Sequence, residues 1–208
     1  MNSFSKKEIS LIKKLNTPVK VQDYLNKLKF NFENNGIDVI KSPLFVIREG
    51  NAHCIEGAIL GAYILSLHGY KPLIMHLQAT KDDFDHVVAL FKENGCWGAI
   101  SKTNHAVLRY REPVYKSIHE LVMSYFHEYF LNSNGKKTLR RYSKPLNLNI
   151  FEKGWEVESE NIFGIDDELD KIKHYDVLSK NQIKKLRFAD IIERKTGDIL
   201  EFNRPSKN

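Results

Sequence analysis

The chain has 208 residues, two of them cysteine, with a net charge of +6 and 42% hydrophobic residues. This length and composition suit a globular protein of one domain with a modest appendage, and exclude a disordered chain and a disulfide-stapled secreted domain. Because the start, MNSFSKKE, has no apolar signal core and no apolar stretch is long enough to span a bilayer, we expect a cytoplasmic protein without membrane association.

Taken in order, the chain predicts helices first and a sheet afterwards. Apolar residues at helical spacing indicate helices, and short apolar runs bounded by turn residues indicate strands. The predicted elements are helices over 5–15 and 18–30, a loop over 31–42, a strand over 44–47, a helix from Cys54 to Gly69, strands over 72–77, 86–91 and 96–101, a turn over 109–113, helices over 114–130, 158–172 and 180–194, and a last strand over 199–202.

The helix that begins at Cys54 is apolar over much of its circumference and is therefore predicted to be buried. Its small residues allow a sheet to approach closely, so we predict an α+β fold with this central helix on an antiparallel sheet and extra helices at both ends. A break at 132–137 divides a core, 1–131, from an appendage packed on it, 132–208. The small residues are Gly57, Ala58, Gly61 and Ala62.

Asn94-Gly95 is the strongest hairpin signal in the chain, and it predicts that the strands on either side pair in antiparallel fashion. A two-residue turn places His86 opposite Thr103, whereas a four-residue loop places it opposite Ser101. Because side chains alternate between the faces of a strand, either register keeps Ser101 on the face of His86.

Cys54 lies in the first turn of its helix, where unpaired N–H groups and the helix dipole favour a thiolate and can also hold an oxyanion. Cysteine catalysis also needs a base and a group that orients the base, and His86 at a strand start is the candidate base. Asp85 is expected to point to the opposite face of the strand. The orienting role stays open between Ser101, which has the right face but no charge, and Asn104, just beyond the strand end.

Cys54 heading an Ala/Gly-rich helix, the triplet Asp85-His86-Val87, and the returning strand GCWGAIS together resemble the transglutaminase-like superfamily of papain-type cysteine enzymes, in its bacterial members. The resemblance covers about residues 20–130. It implies that Cys54 is the nucleophile and His86 the base, and that Ser101, four residues after Trp97, occupies the place of the family's aspartate. It also implies a thioester intermediate, which peptide hydrolysis, amide transfer and deamidation share.

The candidate substrate-binding residues are Asn51, His53 and Trp97. A metal site is the rival use of the histidines and cysteines, but adjacent His53 and Cys54 point in different directions and no C-x-x-C or H-x-x-x-H pair is present. We therefore expect neither a metal nor another cofactor.

The leading hypothesis is a cysteine-dependent acyl-transfer enzyme, a hydrolase or a transglutaminase-like transferase, that acts on a peptide, a protein or a small amide. The absent aspartate motivates the alternative, an inactive transglutaminase-like fold that binds a peptide or protein.

Basic clusters at 136–137, 140–141 and 184–187 raise nucleic-acid binding as a third hypothesis. Since no zinc finger, RNP motif or Gly-rich phosphate loop accompanies them, a solvated face is the preferred interpretation. The sequence leaves the oligomeric state open.

Overall fold

The computed structural model describes residues 3–32, 39–158 and 161–204. In these ranges the chain is a mixed α+β fold, which confirms the predicted class, and no helix within them is long and apolar enough to cross a bilayer. The helices are α1 (Lys6–Lys14), α2 (Pro18–Lys27), α3 (Pro43–Glu49), α4 (Cys54–Ser66), α5 (Ile118–Phe126), α6 (Gly164–Lys171), α7 (Lys180–Ile183) and α8 (Ile191–Gly197), with 3₁₀ turns at Leu148–Ile150 and Trp155–Val157. The strands are β1 (Lys29–Phe30), β2 (Asn51–Ala52), β3 (Leu73–Gln78), β4 (His86–Glu93), β5 (Cys96–Ile100), β6 (Arg111–Tyr115), β7 (Arg141–Ser143), β8 (Leu146–Asn147) and β9 (His174–Asp176).

The main sheet has the strand order β6-β5-β4-β3-β7-β9, with β8 also paired to β3. Every pairing in it is antiparallel. Strands β1 and β2 form a separate parallel pair, which ends two residues before Cys54. Residues after 131 thus supply three strands of the main sheet, and the predicted division at that point stays a prediction.

The β4–β5 hairpin has the two-residue turn, the first of the two alternatives that the sequence left open. Asn94 and Gly95 both adopt positive φ, 48° and 80°, as a type I′ turn requires. Glu93 pairs with Cys96 and the register continues without a shift to Ala89 and Ile100. Continued by three residues, the same register places His86 opposite Thr103.

Helix α4 lies against one face of the sheet because its small residues remove the steric barrier, as predicted. A Cβ on Gly57 would overlap the Cβ of Lys102, and a Cβ on Gly61 would lie 3.4 Å from Cγ2 of Ile100. Ala58 and Ala62 are fully buried in the same interface. The helix backbone therefore approaches the last residues of β5 more closely than larger side chains would permit.

Strand β4 is buried on both faces, as its continuous apolar run predicted. Val87 and Ala89 pack in the cluster around α4, whereas Val88 and Leu90 pack in a second cluster on the other face. Helix α5 covers that second face with, among others, Tyr125, which is fully buried. His86 thus begins a strand that has little freedom to move.

The strand predicted over 44–47 is wrong, because these residues lie in helix α3. Pro43 occupies the first turn, where its fixed φ favours a helix, and Gly50 ends the helix at a φ of 68°. A run of four apolar residues does not by itself distinguish a strand from a buried helical turn.

The predicted bounds of two further elements are wrong, those of the turn over 109–113 and those of the helix over 114–130. Residues 111–115 alternate in burial and pair with β5 as β6. The helix starts only after Ser117, whose side chain accepts a hydrogen bond from the Glu120 N–H and so caps α5.

The C-terminal elements are shorter than predicted. The helix expected over 180–194 consists of the two short helices α7 and α8, and the one expected over 158–172 is observed as α6, with residues 159–160 outside the described ranges. The strand expected over 199–202 makes only an isolated bridge from Leu200 to His105. Half of the loop expected over 31–42, residues 33–38, lies outside the described residues.

We predict that Gly57→Ala lowers the free energy of unfolding by about 1–3 kcal/mol, because the added methyl group overlaps Lys102. Helix propensity alone would favour alanine by about 1 kcal/mol, so the predicted sign is opposite to that of an open site. Urea unfolding followed by circular dichroism measures the change.

Gly61→Ala on the same helix is the matched control, since its Cβ would make ordinary contacts with Ile100 and with Ala89 at 3.6 Å. We expect this variant to be neutral or more stable than the wild type. Equal effects of the two substitutions would contradict a specific close approach at Gly57.

Candidate active site

Cys54 is the first residue of α4, with His53 as the N-cap residue. Its thiol is free and the residue is partly exposed, as is the free Cys96 in the hairpin. The first-turn N–H groups of a helix have no partner within the helix, and they point away from it on the side of the N-cap. The thiol therefore lies where a helix can stabilise negative charge.

His86 is 6% exposed and its Nε2 lies 2.8 Å from Oγ of Ser101. The Ser101 hydroxyl donates its single proton to the carbonyl oxygen of Leu108, at 2.5 Å. Oγ must then accept from His86, so Nε2 carries a hydrogen and Nδ1 is the ring nitrogen left for Cys54. A neutral serine thus determines the tautomer of this histidine.

Two imidazoles control the ionisation of Cys54. Burial acts to raise the pKa of the Cys54 thiol, but hydrogen bonds from His53 and His86, and the charges on both rings, outweigh burial and hold the pKa well below its ordinary value. The lowered pKa favours the thiolate, which is the nucleophilic form of cysteine.

Gln22 of α2 holds Ser101 in place, although sequence reasoning did not identify it. Its Nε2 donates to the Ser101 carbonyl oxygen at 2.8 Å and its Oε1 accepts from the Ser101 N–H at 2.9 Å. Gln22 is 6% exposed and lies between the fully buried Val21 and Leu25. A polar residue next to the apolar stripe of a predicted helix was the available signal.

Asn104 does not contact His86, so Ser101 is the residue of the two candidates that the structure brings to the imidazole. The Asn104 Nδ2 donates to the carbonyl oxygen of Phe202 at 2.9 Å, and the Phe202 N–H donates to Oδ1 at 2.9 Å. Both polar atoms of the amide are therefore used to hold a segment far along the chain.

Trp97, expected to bind substrate, lies at the other end of β5 from Ser101. Trp97 and Ser101 are four positions apart along the chain, which corresponds to about 13 Å in an extended strand. The Lys92 ammonium group lies 5.2 Å from the centroid of the Trp97 ring, and both residues line a surface cavity with Tyr70. The strand runs from the hairpin towards the site, which places Trp97 away from Cys54.

Asn51 and His53, both of which shortly precede α4, differ in their contacts. Asn51 accepts hydrogen bonds from the Lys41 ammonium group at both its side-chain oxygen and its carbonyl oxygen. It is thus engaged within the fold, whereas His53 is brought directly to Cys54.

Asp85 points away from His86, as predicted from the alternation of side chains. Its Oδ2 lies 2.9 Å from Nε2 of His76, and its Oδ1 accepts from the Ala79 N–H at 2.7 Å. The carboxylate adjacent in sequence is therefore not the group that orients the candidate base.

Several residues of the basic clusters form ion pairs within the chain. Nζ of Lys136 lies 2.8 Å from Oδ2 of Asp82, and a guanidinium nitrogen of Arg187 lies 2.6 Å from Oδ2 of Asp190. Such pairing leaves less unbalanced positive charge for phosphates. Within 3–32, 39–158 and 161–204, no group of three or more His, Cys, Asp or Glu side chains could hold a metal ion.

The three candidate catalytic residues lie at the ends of secondary-structure elements. Cys54 begins α4 and His86 begins β4. Ser101 directly follows β5, the strand that pairs with β4. Chemically, such a site can attack a carbonyl with a thiolate and transfer a proton through an imidazole of fixed orientation.

No protein-family model matches this chain, and no curated protein does. Among solved structures the chain is similar to LapG of Legionella pneumophila, with a TM-score of 0.38 for the calcium-bound form and 0.36 for the EGTA-treated form, both at 20% identity. The matches cover 45% of this chain and 59% and 57% of LapG, so the chain spans less than two thirds of LapG's length.

We predict that iodoacetamide labels Cys54 faster than Cys96 at pH 7, because the lowered pKa of Cys54 increases the fraction of this thiol that is present as thiolate. Because the thiolate is held by the two imidazoles, its labelling should persist as the pH falls below the ordinary thiol pKa of about 8.5. Mass spectrometry of peptides from a labelling time course measures both rates.

His86→Ala should slow the labelling of Cys54 and leave that of Cys96 unchanged, so Cys96 serves as the internal control. Equal rates at the two cysteines, unaffected by this substitution, would contradict an activated thiol.

Proposed function

We propose that this protein is a cysteine-dependent hydrolase that cleaves an amide bond of a peptide or protein through a thioester on Cys54. The observation that carries the proposal is the fixed His86 tautomer. Ser101 accepts from Nε2 and donates to Leu108, which leaves Nδ1 as the ring nitrogen available to the thiol. These contacts support the assignment of Cys54 as nucleophile, His86 as base and Ser101 as orienting group, the three roles that cysteine catalysis requires.

In the acylation step the Cys54 thiolate attacks the substrate carbonyl carbon, and the negative charge moves to the carbonyl oxygen. First-turn N–H groups of α4 are the donors available to this oxyanion. As the tetrahedral intermediate collapses, the His86 imidazolium gives its Nδ1 proton to the leaving amine. The products are a free amine, a neutral His86 and a thioester.

In the deacylation step water attacks the thioester while Nδ1 of His86 takes its proton. Collapse of the second tetrahedral intermediate releases the carboxylic acid and restores the thiolate and imidazolium. If an amine replaces water as acceptor, the same steps give amide transfer, so the acceptor alone distinguishes the hydrolase from the transferase.

The Ser101 hydroxyl can orient the His86 ring, but it carries no negative charge to stabilise a positive charge on that ring. A hydroxyl stabilises an imidazolium less than the carboxylate of a Cys-His-Asp site does. This absence of charge is also the feature that favours the second candidate function, an inactive fold that binds a peptide or protein. The two candidates differ in whether an acyl group is ever transferred to Cys54.

We predict that the protein forms one acetyl-thioester per chain, on Cys54, when incubated with p-nitrophenyl acetate, because an activated ester needs no specific substrate pocket. Intact-protein and peptide mass spectrometry, with reversal by hydroxylamine, identify the product. Cys54→Ser should abolish this thioester, and the control Cys96→Ser should retain it. A wild-type protein that is alkylated rapidly at Cys54 but never acylated would favour the binding module.

We predict that Ser101→Ala lowers the turnover of the same ester by about tenfold to a hundredfold, because Nε2 of His86 loses its acceptor and the ring can adopt the other tautomer. Steady-state kinetics measure this decrease. Asn104→Ala is the comparison variant, and it should cost much less since Asn104 does not contact the imidazole. The reverse order would return the orienting role to Asn104.

A further inference from the structure

His86 lies where the two ladders of β4 differ in length. The ladder with β3 reaches the first residue of the strand, so that His86 pairs with Leu77. The ladder with β5 begins only at Ala89, which pairs with Ile100. The position of the candidate base therefore depends on β3 and on the connection of residues 79–85 that leads from β3 into β4.

Phe84, two residues before His86, is held by its backbone, since its side chain is 90% exposed and packs little. Its carbonyl oxygen accepts a hydrogen bond from the Tyr129 hydroxyl at 2.5 Å. Its N–H donates to Oδ1 of Asp83 at 2.8 Å. Both backbone polar groups of Phe84 are thus bonded within the chain, and these two hydrogen bonds fix the residue.

Tyr129 is suited to hold the Phe84 carbonyl oxygen permanently. It is 2% exposed and packs on the face of the sheet that α5 covers. Burial, with smaller contributions from the charges of Asp83, Asp85 and Cys54, raises the pKa of Tyr129 well above its ordinary value. The phenol therefore keeps its proton near neutral pH, and a phenol has one proton to donate.

Thr138 holds both ends of the same connection. Its hydroxyl donates to Oδ2 of Asp83, the carboxylate that also accepts from the Phe84 N–H. Its carbonyl oxygen accepts from the Thr80 N–H at 2.9 Å. Thr138 is fully buried, and its own N–H donates to the carbonyl oxygen of Tyr129 at 3.0 Å. The two residues that contact the connection are thus bonded to each other.

We propose that Tyr129 and Thr138 are positioning residues for the base, which hold the chain before His86 so that its imidazole stays between Cys54 and Ser101. This inference rests on the proposed function. Tyr129 acts through a backbone carbonyl oxygen and Thr138 through a carboxylate, so neither takes part in proton transfer. The inference gives a role at the site to the chain that follows α5.

The consequence of losing either hydroxyl follows from the position of these contacts. Phe84 or Asp83 then loses a donor, and the connection into β4 can shift. A displaced His86 imidazole stabilises the Cys54 thiolate less, so the pKa of the thiol rises.

The test is the pH profile of Cys54 alkylation by iodoacetamide in a Cys96→Ser background, which needs no substrate. Tyr129→Phe and Thr138→Val each remove a hydroxyl with little change of shape, and we expect both to shift the profile to higher pH. On the acid side of the profile the rate should fall by about twofold to tenfold, the factor that corresponds to the loss of one hydrogen bond.

Tyr70→Phe is the matched control for Tyr129→Phe, because it removes a phenol hydroxyl that donates to Oε1 of Glu93, at the far end of β4 from His86. Thr138→Ser is the control for Thr138→Val, since serine retains the hydroxyl. We expect both controls to reproduce the parent profile. Equal shifts in the controls and the test variants would overturn the proposal.

A merely structural role for Tyr129 is distinguished by a second substitution at the base. In a His86→Ala background, Tyr129→Phe should leave the alkylation profile unchanged, because a residue that acts through His86 has nothing left to position. A further shift in that background would overturn the proposal. Urea unfolding is measured for each variant, and the two Thr138 variants decide the matter if Tyr129→Phe does not fold.

The two levels of proposal fail differently in this experiment. If Cys54 of the parent titrates as an ordinary thiol and is unaffected by His86→Ala, the proposed function is overturned together with the inference. If the parent profile depends on His86 but not on Tyr129 or Thr138, the positioning roles are overturned and the hydrolase proposal stands.

Discussion

The contact between Gly57 and Lys102 sets the geometry on which the rest of the site depends. Gly57 lies one turn after Cys54 in α4, and Lys102 is the residue directly after Ser101. The absence of a side chain at Gly57 lets the helix backbone meet the Cβ of Lys102. Nucleophile and orienting group are thereby brought together by a contact between their neighbours rather than by any attraction between themselves.

The site so formed uses two kinds of support for its two histidines. His86 lies at the start of a strand buried on both faces and is oriented by a hydroxyl, whereas His53 caps a helix and lies beside a buried carboxylate. A Cys-His-Asp site obtains both the orientation and the charge for its histidine from one aspartate.

Local chemistry explains what was predictable from the sequence. The Asn94-Gly95 turn and the alternation of side chains together placed Ser101 on the face of His86, and the start of an apolar helix placed Cys54. The run at 44–47 was misassigned because four apolar residues suit a strand and a helical turn equally, and Pro43 decided between them.

Contacts between distant parts of the chain were not predictable by the same means. Gln22 is hydrogen-bonded to Ser101, 79 residues later in the sequence. The side chain of Asn104 is hydrogen-bonded to Phe202, 98 residues later, rather than to the imidazole. The contact between Asn104 and Phe202 can form only late in the synthesis of the chain. A ribosome that has just made the loop after β5 must add almost half of the chain before the partner of Asn104 exists, so this loop acquires its final anchor late, after nucleophile, base and orienting serine have all been translated.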